Sequence, residues 1–224
     1  MAKLPRGFYH RDTVEIAEDL IGRVLVHRTA DGVTAGRIVE AEAYAGKNDA
    51  ACHSAKGNSN GRTAVMYGSG GFAYVYLIYG MYYCMNIVTR AEGEPEAVLI
   101  RALEPLEGIR LMASRRGVEA PDNMDTPASK LLRNLCAGPG KLCIAMAIDK
   151  RCYGLDLCGS ELFLDEGTKP AAGSIAATKR INVDYAGEAA DYPWRFILKD
   201  SPYLSVKKPG PAKKNLSKTL EDRK

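Results

Sequence analysis

The sequence predicts an α+β fold: a single domain on a curved, mainly antiparallel β-sheet, with surrounding helices and a projecting β-hairpin. Three observations lead there. Several segments alternate like strands and are joined by tight-turn residues, as at Asp31-Gly32 and Tyr79-Gly80. Helical patterns are short and lie between strands without a repeated βαβ rhythm. The chain has 224 residues, most simply one domain with a substantial core.

Taken in order, Asp12 caps a first helix, with Glu15 placed for a capping box and Gly22 closing it. Residues 23–28 form a strand, Asp31-Gly32 turns the chain, and residues 33–44 return. Residues 45–71 are long and irregular, rich in Gly, Asn and Ser, as functional loops often are. Residues 74–79 and 81–89 are strands joined at Gly80, and residues 97–103 are another. Pro105 is expected to open a helix ending near Gly117. A polar linker spans 119–126, followed by short helices at 129–136 and 141–148. Further strands are expected at 161–164, 176–183 and 194–198.

Charge divides the chain into a nearly neutral body, residues 1–205, and a basic tail, residues 206–224. The tail sets seven Lys and Arg against Glu221 and Asp222, a net +5 out of +4 for the whole chain. It is poor in apolar residues and carries Pro209-Gly210-Pro211, so it reads as disordered. Such a tail suits nucleic acid by long-range attraction, or serves only as a solubilising terminus. Residues 63–89 lack charge, yet glycines and Asn86 interrupt them and they alternate like strands, which excludes a membrane span. With no signal segment and no Cys-x-x-Cys pair among six cysteines, a reducing cytoplasm is expected. Only three histidines are present, and no metal-ligand spacing emerges.

Two runs carry chemistry. In residues 38–44, period-two alternation places Ile38, Glu40, Glu42 and Tyr44 on one face. The two carboxylates are then roughly 6.6 Å apart at their backbones, a spacing that overlaps the paired carboxyls of glycoside hydrolases. One carboxylate also suffices as a base that activates water, and two solvated glutamates on an exposed face are the bland alternative. Residues 73–86 hold five tyrosines and no charge. Buried tyrosines need partners for their hydroxyls. Tyr74 and Tyr76 share a face, and Tyr79 projects from the turn as a candidate wedge between stacked bases. Asn86 offers an amide for a base edge. Arg101, in an otherwise apolar strand, must be paired or face a polar cavity. Gly138-Pro139-Gly140-Lys141 reads as an ordinary helix start more than as a phosphate site. The residues alone leave three classes open: a base-excising enzyme, an O-glycoside hydrolase using Glu40 and Glu42, and a non-catalytic nucleic-acid binder.

Five blocks occur in order: Arg37 to Tyr44 (RIVEAEAY), Ala51 to Ser54 (ACHS), Tyr74 to Met81 (YVYLIYGM), Leu99 to Pro105 (LIRALEP) and Gly138 to Cys143 (GPGKLC). The chain thereby resembles the alkyladenine (3-methyladenine, methylpurine) DNA glycosylase family over about residues 8–205. The resemblance implies a monofunctional, monomeric base-excision enzyme with no cofactor and no metal, acting on double-stranded DNA that contains damaged purines, in the cytoplasm at the nucleoid. It implies that Glu42 is the general base and that Tyr44, His53 and Tyr76 sandwich a flipped base. Asn86 would screen purine substituents and Arg101 would order the site. Tyr79 would fill the vacated stack, with Met81 and Tyr82 in the groove and Arg62, Lys141 and Lys150 on the DNA backbone. Glu40 becomes structural. Departures from the family pattern are Ala41 in place of Thr, residues 60–63 (NGRT), and Asn182 in place of Gly.

Overall fold

The computed structural model describes residues 2–119 and 130–206. The expected linker from residue 120, the helix start at Ser129 and the tail from Lys207 lie outside the described residues. The strands are β1 (Val24–Thr29), β2 (Gly32–Tyr44), β3 (Ala73–Ile78), β4 (Tyr82–Thr89), β5 (Glu96–Glu107), β6 (Leu162–Asp165), β7 (Ile175–Thr178) and β8 (Arg195–Leu198). The helices are α1 (Thr13–Asp19), α2 (Ile109–Arg115), α3 (Lys130–Leu135) and α4 (Pro139–Ala145). The strands form an eight-stranded open sheet of order β3-β4-β5-β2-β1-β6, with β8 pairing β2 and β7. Every pairing is antiparallel. The α+β expectation holds.

The long strand β2 organises the sheet. One edge pairs β5 along most of its length, while the other pairs β1 through residues 32–37 and β8 through Glu40–Glu42. The change of partner coincides with register shifts between Ile38 and Ala41. A bulge adds a residue to one strand and so resets the alternation. Ile38 accordingly packs in the main core with Ala41 and Ala43, while Val39 joins a separate cluster. Strict alternation had placed Ile38 with the glutamates; the bulge is why it is not there.

The main core lies between one sheet face and the helices. Ile16 and Leu20 meet Ile38, Ala41, Met85, Ile87, Val98, Ile100, Leu142 and Cys143. The Asp12 cap is formed: its Oδ1 accepts from the amides of Val14 (2.9 Å) and Glu15 (3.2 Å), which satisfies two free donors of α1.

Pro105 does not start a helix. It sits inside β5 opposite Gly36, beside the register shift at Ala35 and Gly36, where a residue without an N–H is tolerated. The helix begins only after Gly108, whose φ is +71°. A Cβ there would lie 2.3 Å from the Val33 carbonyl, so glycine is required for the strand to turn so sharply. The expected strand at 176–183 ends at Thr178, and residues 181–183 line a cavity instead.

Candidate active site

The opposite sheet face carries a row of side chains set by cross-strand register. Tyr74 pairs Asn86, Asn86 pairs Leu99, Leu99 pairs Glu42, and Glu42 pairs Arg195. Arg101, two residues beyond Leu99, lies on the same face. A cavity of about 340 Å³ opens over this row, within the usual range of small-molecule sites. Its walls include Tyr44, His53, Tyr74, Tyr76, Asn86 and Arg101, with Tyr79 and Tyr82 from the hairpin and Ile181, Asn182 and Tyr185 opposite.

Glu40 and Glu42 are both fully buried, so the exposed-face alternative is excluded. They occupy different environments. Glu40 Oε1 accepts from Arg101 Nε (2.8 Å), Arg195 Nε (2.8 Å) and Ser205 Oγ (2.7 Å), and its Oε2 accepts from the Ser205 amide (2.7 Å). Burial alone raises this carboxyl, but Arg101 and Arg195 beside it outweigh burial and hold it below the usual range. Glu40 is thus held by four donors, three of them on Oε1, and neither Arg195 nor Ser205 lines the cavity. Glu42 accepts the Ile181 amide on Oε1 (2.8 Å), and Tyr44 Oη–H (2.9 Å) and Arg101 Nη1 (3.1 Å) on Oε2. One acceptor position is left, on Oε1. Glu42 does not itself line the cavity; it sits directly behind Tyr44, Arg101 and Ile181, which do. The Arg101 guanidinium is held more firmly protonated than usual because Glu42 and Glu40 outweigh its burial.

The aromatic walls are uncharged. Burial, then Glu42, pushes the Tyr44 phenol well up, so it stays a donor to Glu42. Burial likewise pushes Tyr74 and Tyr76 up. His53 is held down to about 4 by burial and by Arg62, so its imidazole is neutral at physiological pH. Its Nδ1 lies 2.8 Å from Tyr74 Oη, and its ring meets Tyr76 edge-on at 4.7 Å. Asn86 donates Nδ2–H to the Tyr74 carbonyl at 3.0 Å.

At the rim, Ile78, Tyr79, Gly80 and Met81 form a turn closed by the Met81 amide on the Ile78 carbonyl (3.2 Å). Both central residues have positive φ, +53° at Tyr79 and +69° at Gly80. The expectation of a turn centred on Tyr79-Gly80 holds, and it costs Tyr79 a left-handed backbone. Strain of this kind, about 1–3 kcal/mol, concentrates at functional positions. Tyr79 is 76 % exposed and Met81 66 %. Arg62 stacks over Tyr76 at 5.6 Å. Lys141 on α4 bonds Asn134 on α3, and Lys150 is exposed on the turn Lys150–Cys152. Met81, Arg62, Lys141 and Lys150 do not line the cavity.

Residues not expected from sequence complete the site. Arg195, buried in an apolar strand, carries the same signal that singled out Arg101. Asp49, Arg180, Ile181 and Ser205 join the site across 131 to 165 residues from the partners that hold them there, and no local pattern marks them.

A buried, donor-held carboxylate thus lies behind an aromatic cavity, with a left-handed tyrosine at its rim. The Methylpurine-DNA glycosylase family description matches residues 7–202. A protein of Desulfitobacterium hafniense (strain Y51) is 51 % identical over 207 residues, covering 92 % of this chain and 100 % of its own length. One from Alkaliphilus oremlandii (strain OhILAs) is 50 % identical over 92 % of this chain and 100 % of its own. One from Methanocella arvoryzae is 50 % identical over 94 % and 99 %. All three bear the name "Putative 3-methyladenine DNA glycosylase". The chain belongs to the methylpurine-DNA glycosylase family, hydrolases of the N-glycosidic bond whose substrate is DNA. Among the described residues no helix is long and apolar enough to cross a membrane.

Proposed function

We propose that this chain excises 3-methyladenine and related alkylated purines from double-stranded DNA. The damaged nucleotide turns out of the duplex into the cavity, and Glu42 activates the water that replaces the base. The observation that carries this reading is that every partner of Glu42 (Tyr44, Arg101 and Ile181) lines the cavity, with one acceptor position open on Oε1, whereas Glu40 is tied to Arg195 and Ser205, which do not line it. The same contrast argues against a sugar hydrolase, which needs two working carboxyls.

In this account extrusion costs a few kcal/mol, and Tyr79 offsets part of it by filling the gap in the stack. Met81 and Tyr82 follow it into the groove, while Arg62, Lys141 and Lys150 meet phosphates. The base lies against Tyr44, Tyr76 and His53, and Asn86 tests its substituents. An alkylated purine carries positive charge, which aromatic faces attract and a neutral His53 does not repel. Water held by Glu42 bonds to C1′ as the bond from C1′ to the purine nitrogen breaks. The departing electron pair cancels the charge of the alkylated ring, and the water proton passes to Glu42. Arg101 keeps the carboxylate oriented. Water is the nucleophile, so the reaction ends at an intact abasic strand. The excision unit is residues 1–205, acting as a monomer at the nucleoid, with residues 206–224 as a basic appendage.

Single-turnover release of free base from methylated duplex DNA, and from duplexes bearing one hypoxanthine or one ethenoadenine, tests the reading. Release that leaves the strand unbroken until alkali is added is the expected result. Binding without release from any substrate would overturn it in favour of a non-catalytic binder.

A further inference from the structure

The most thoroughly bonded ion pair outside the carboxylate cluster is Asp49 with Arg180. Both side chains are fully buried, and neither lines the cavity. Arg180 binds in a fork, Nη1 to Oδ2 at 2.5 Å and Nη2 to Oδ1 at 2.8 Å. Nη1 also donates to the Ala43 carbonyl and Nη2 to the Ala189 carbonyl, each at 2.9 Å. Asp49 in turn accepts the amides of Ala45 and Ala51, each at 3.1 Å. The guanidinium lies over the rings of Tyr44 (4.8 Å) and Trp194 (5.2 Å). One pair therefore clamps the end of β2, the loop at residues 49–51 and the segment at residues 180–189. Each of these carries part of the cavity wall.

Two of the clamped groups bond Glu42 directly. Tyr44, braced on one face by Arg180, donates its phenol to Glu42 Oε2, and Ile181, the next residue after Arg180, donates its amide to Oε1. A buried ion pair adds little net stability over an apolar pair of similar volume. What it adds here is direction, through four bonds from a rigid planar group. We infer that Asp49 and Arg180 are a positioning pair for excision: they fix the plane of Tyr44 and the Ile181 amide, and so aim the free acceptor position of Glu42. They make no contact with DNA. The inference rests on Glu42 being the base.

The test uses Arg180→Lys, Arg180→Met and the paired change Asp49→Leu with Arg180→Met, in the full chain. Each is assayed for single-turnover base release from methylated duplex DNA at saturating enzyme, where the first-order constant does not depend on the folded fraction. Binding to a duplex with a stable abasic analogue, which puts no base in the cavity, is measured alongside. Arg180→Lys keeps the charge but loses the fork. A misplacement of about 1 Å costs about 10²-fold in rate, and a loss of that order is expected in all three variants with abasic-duplex affinity unchanged. The paired change removes the unpaired buried charge and should recover part of the melting temperature lost in Arg180→Met, without recovering the rate; the rest stays lost because the Ala45 and Ala51 amides and the Ala43 and Ala189 carbonyls lose these partners. Recovery of both, or a wild-type rate in Arg180→Lys, would make the pair purely structural and overturn the inference. Glu42→Gln run in parallel separates the two readings. If it excises normally, the function reading fails; if it is silent while the Arg180 variants keep full rate, only the positioning idea fails.

Discussion

Replacing Glu40 with Gln tests the division of labour between the two buried glutamates. The carboxylate takes two arginine donors, a hydroxyl and a backbone amide, at 2.7–2.8 Å and with no solvent exposure. Gln keeps the shape but has one acceptor oxygen, and its amide points a donor at a donor. Arg101 and Arg195 lose a charge they share. Removing one member of a buried ion pair costs about 3–5 kcal/mol. At about 2–4 °C per kcal/mol for a domain of this size, the melting temperature should fall by about 6–20 °C at neutral pH. The pH dependence has a definite sign. Arg101 and Arg195, against burial, hold the folded carboxyl below its ordinary value of 4.5, so its contribution is complete above that pH. It disappears as pH falls through the folded value, and the two melting curves should then converge. The assay is circular dichroism melting of both proteins from pH 7 downward. A neutral-pH difference under about 2 °C, or one that persists unchanged in acid, would mean that Glu40 is not an ionised partner of Arg101 and Arg195.

Two further predictions follow from the site. Tyr79→Gly relieves about 1–2 kcal/mol of left-handed backbone strain against about 0.4–1 kcal/mol of added unfolded-chain entropy, so the fold should be as stable or slightly more so, while binding to damaged duplex weakens by the worth of one stacking contact, about 1–3 kcal/mol. Thermal melting and fluorescence-anisotropy titration read the two effects, and unchanged affinity would remove Tyr79 from the wedge role. His53 titrates from an ordinary 6.5 down to about 4 on folding, chiefly through burial. The unfolded chain binds the extra proton in that window, so stability should fall as pH drops from about 6.5 to about 4. His53→Gln should lose that part of the acid sensitivity, and identical pH–melting profiles for the two proteins would contradict the burial account.

Local pattern carried most of the strand layout and the aromatic half of the site. Tyr74, Tyr76 and Asn86 sit together because alternation and register are local properties, and Arg101 betrays itself as a charge in an apolar strand. Arg195 obeys the same logic and was open to the same reading. The phase of β2 was not legible, because a bulge leaves no residue signature in Ile38-Val39-Glu40. Pro105 misled because a helix start and a strand position without an N–H partner suit the same residue. The clamp of Asp49 on Arg180 joins groups 131 residues apart, each set in irregular chain, so nothing in the sequence pairs them. Its aromatic stacking on Tyr44 and Trp194 is visible only once the fold has brought three segments together.

Whether Glu42 drives the chemistry is read by single-turnover base release by Glu42→Gln on methylated duplex DNA, with duplex affinity measured on the same preparation. Gln can still accept from Arg101 but cannot take the water proton. General-base catalysis is worth about 10²–10⁴-fold. The predicted result is a loss of at least that order with binding retained. Excision at the wild-type rate would contradict the claim and leave the cavity without a base.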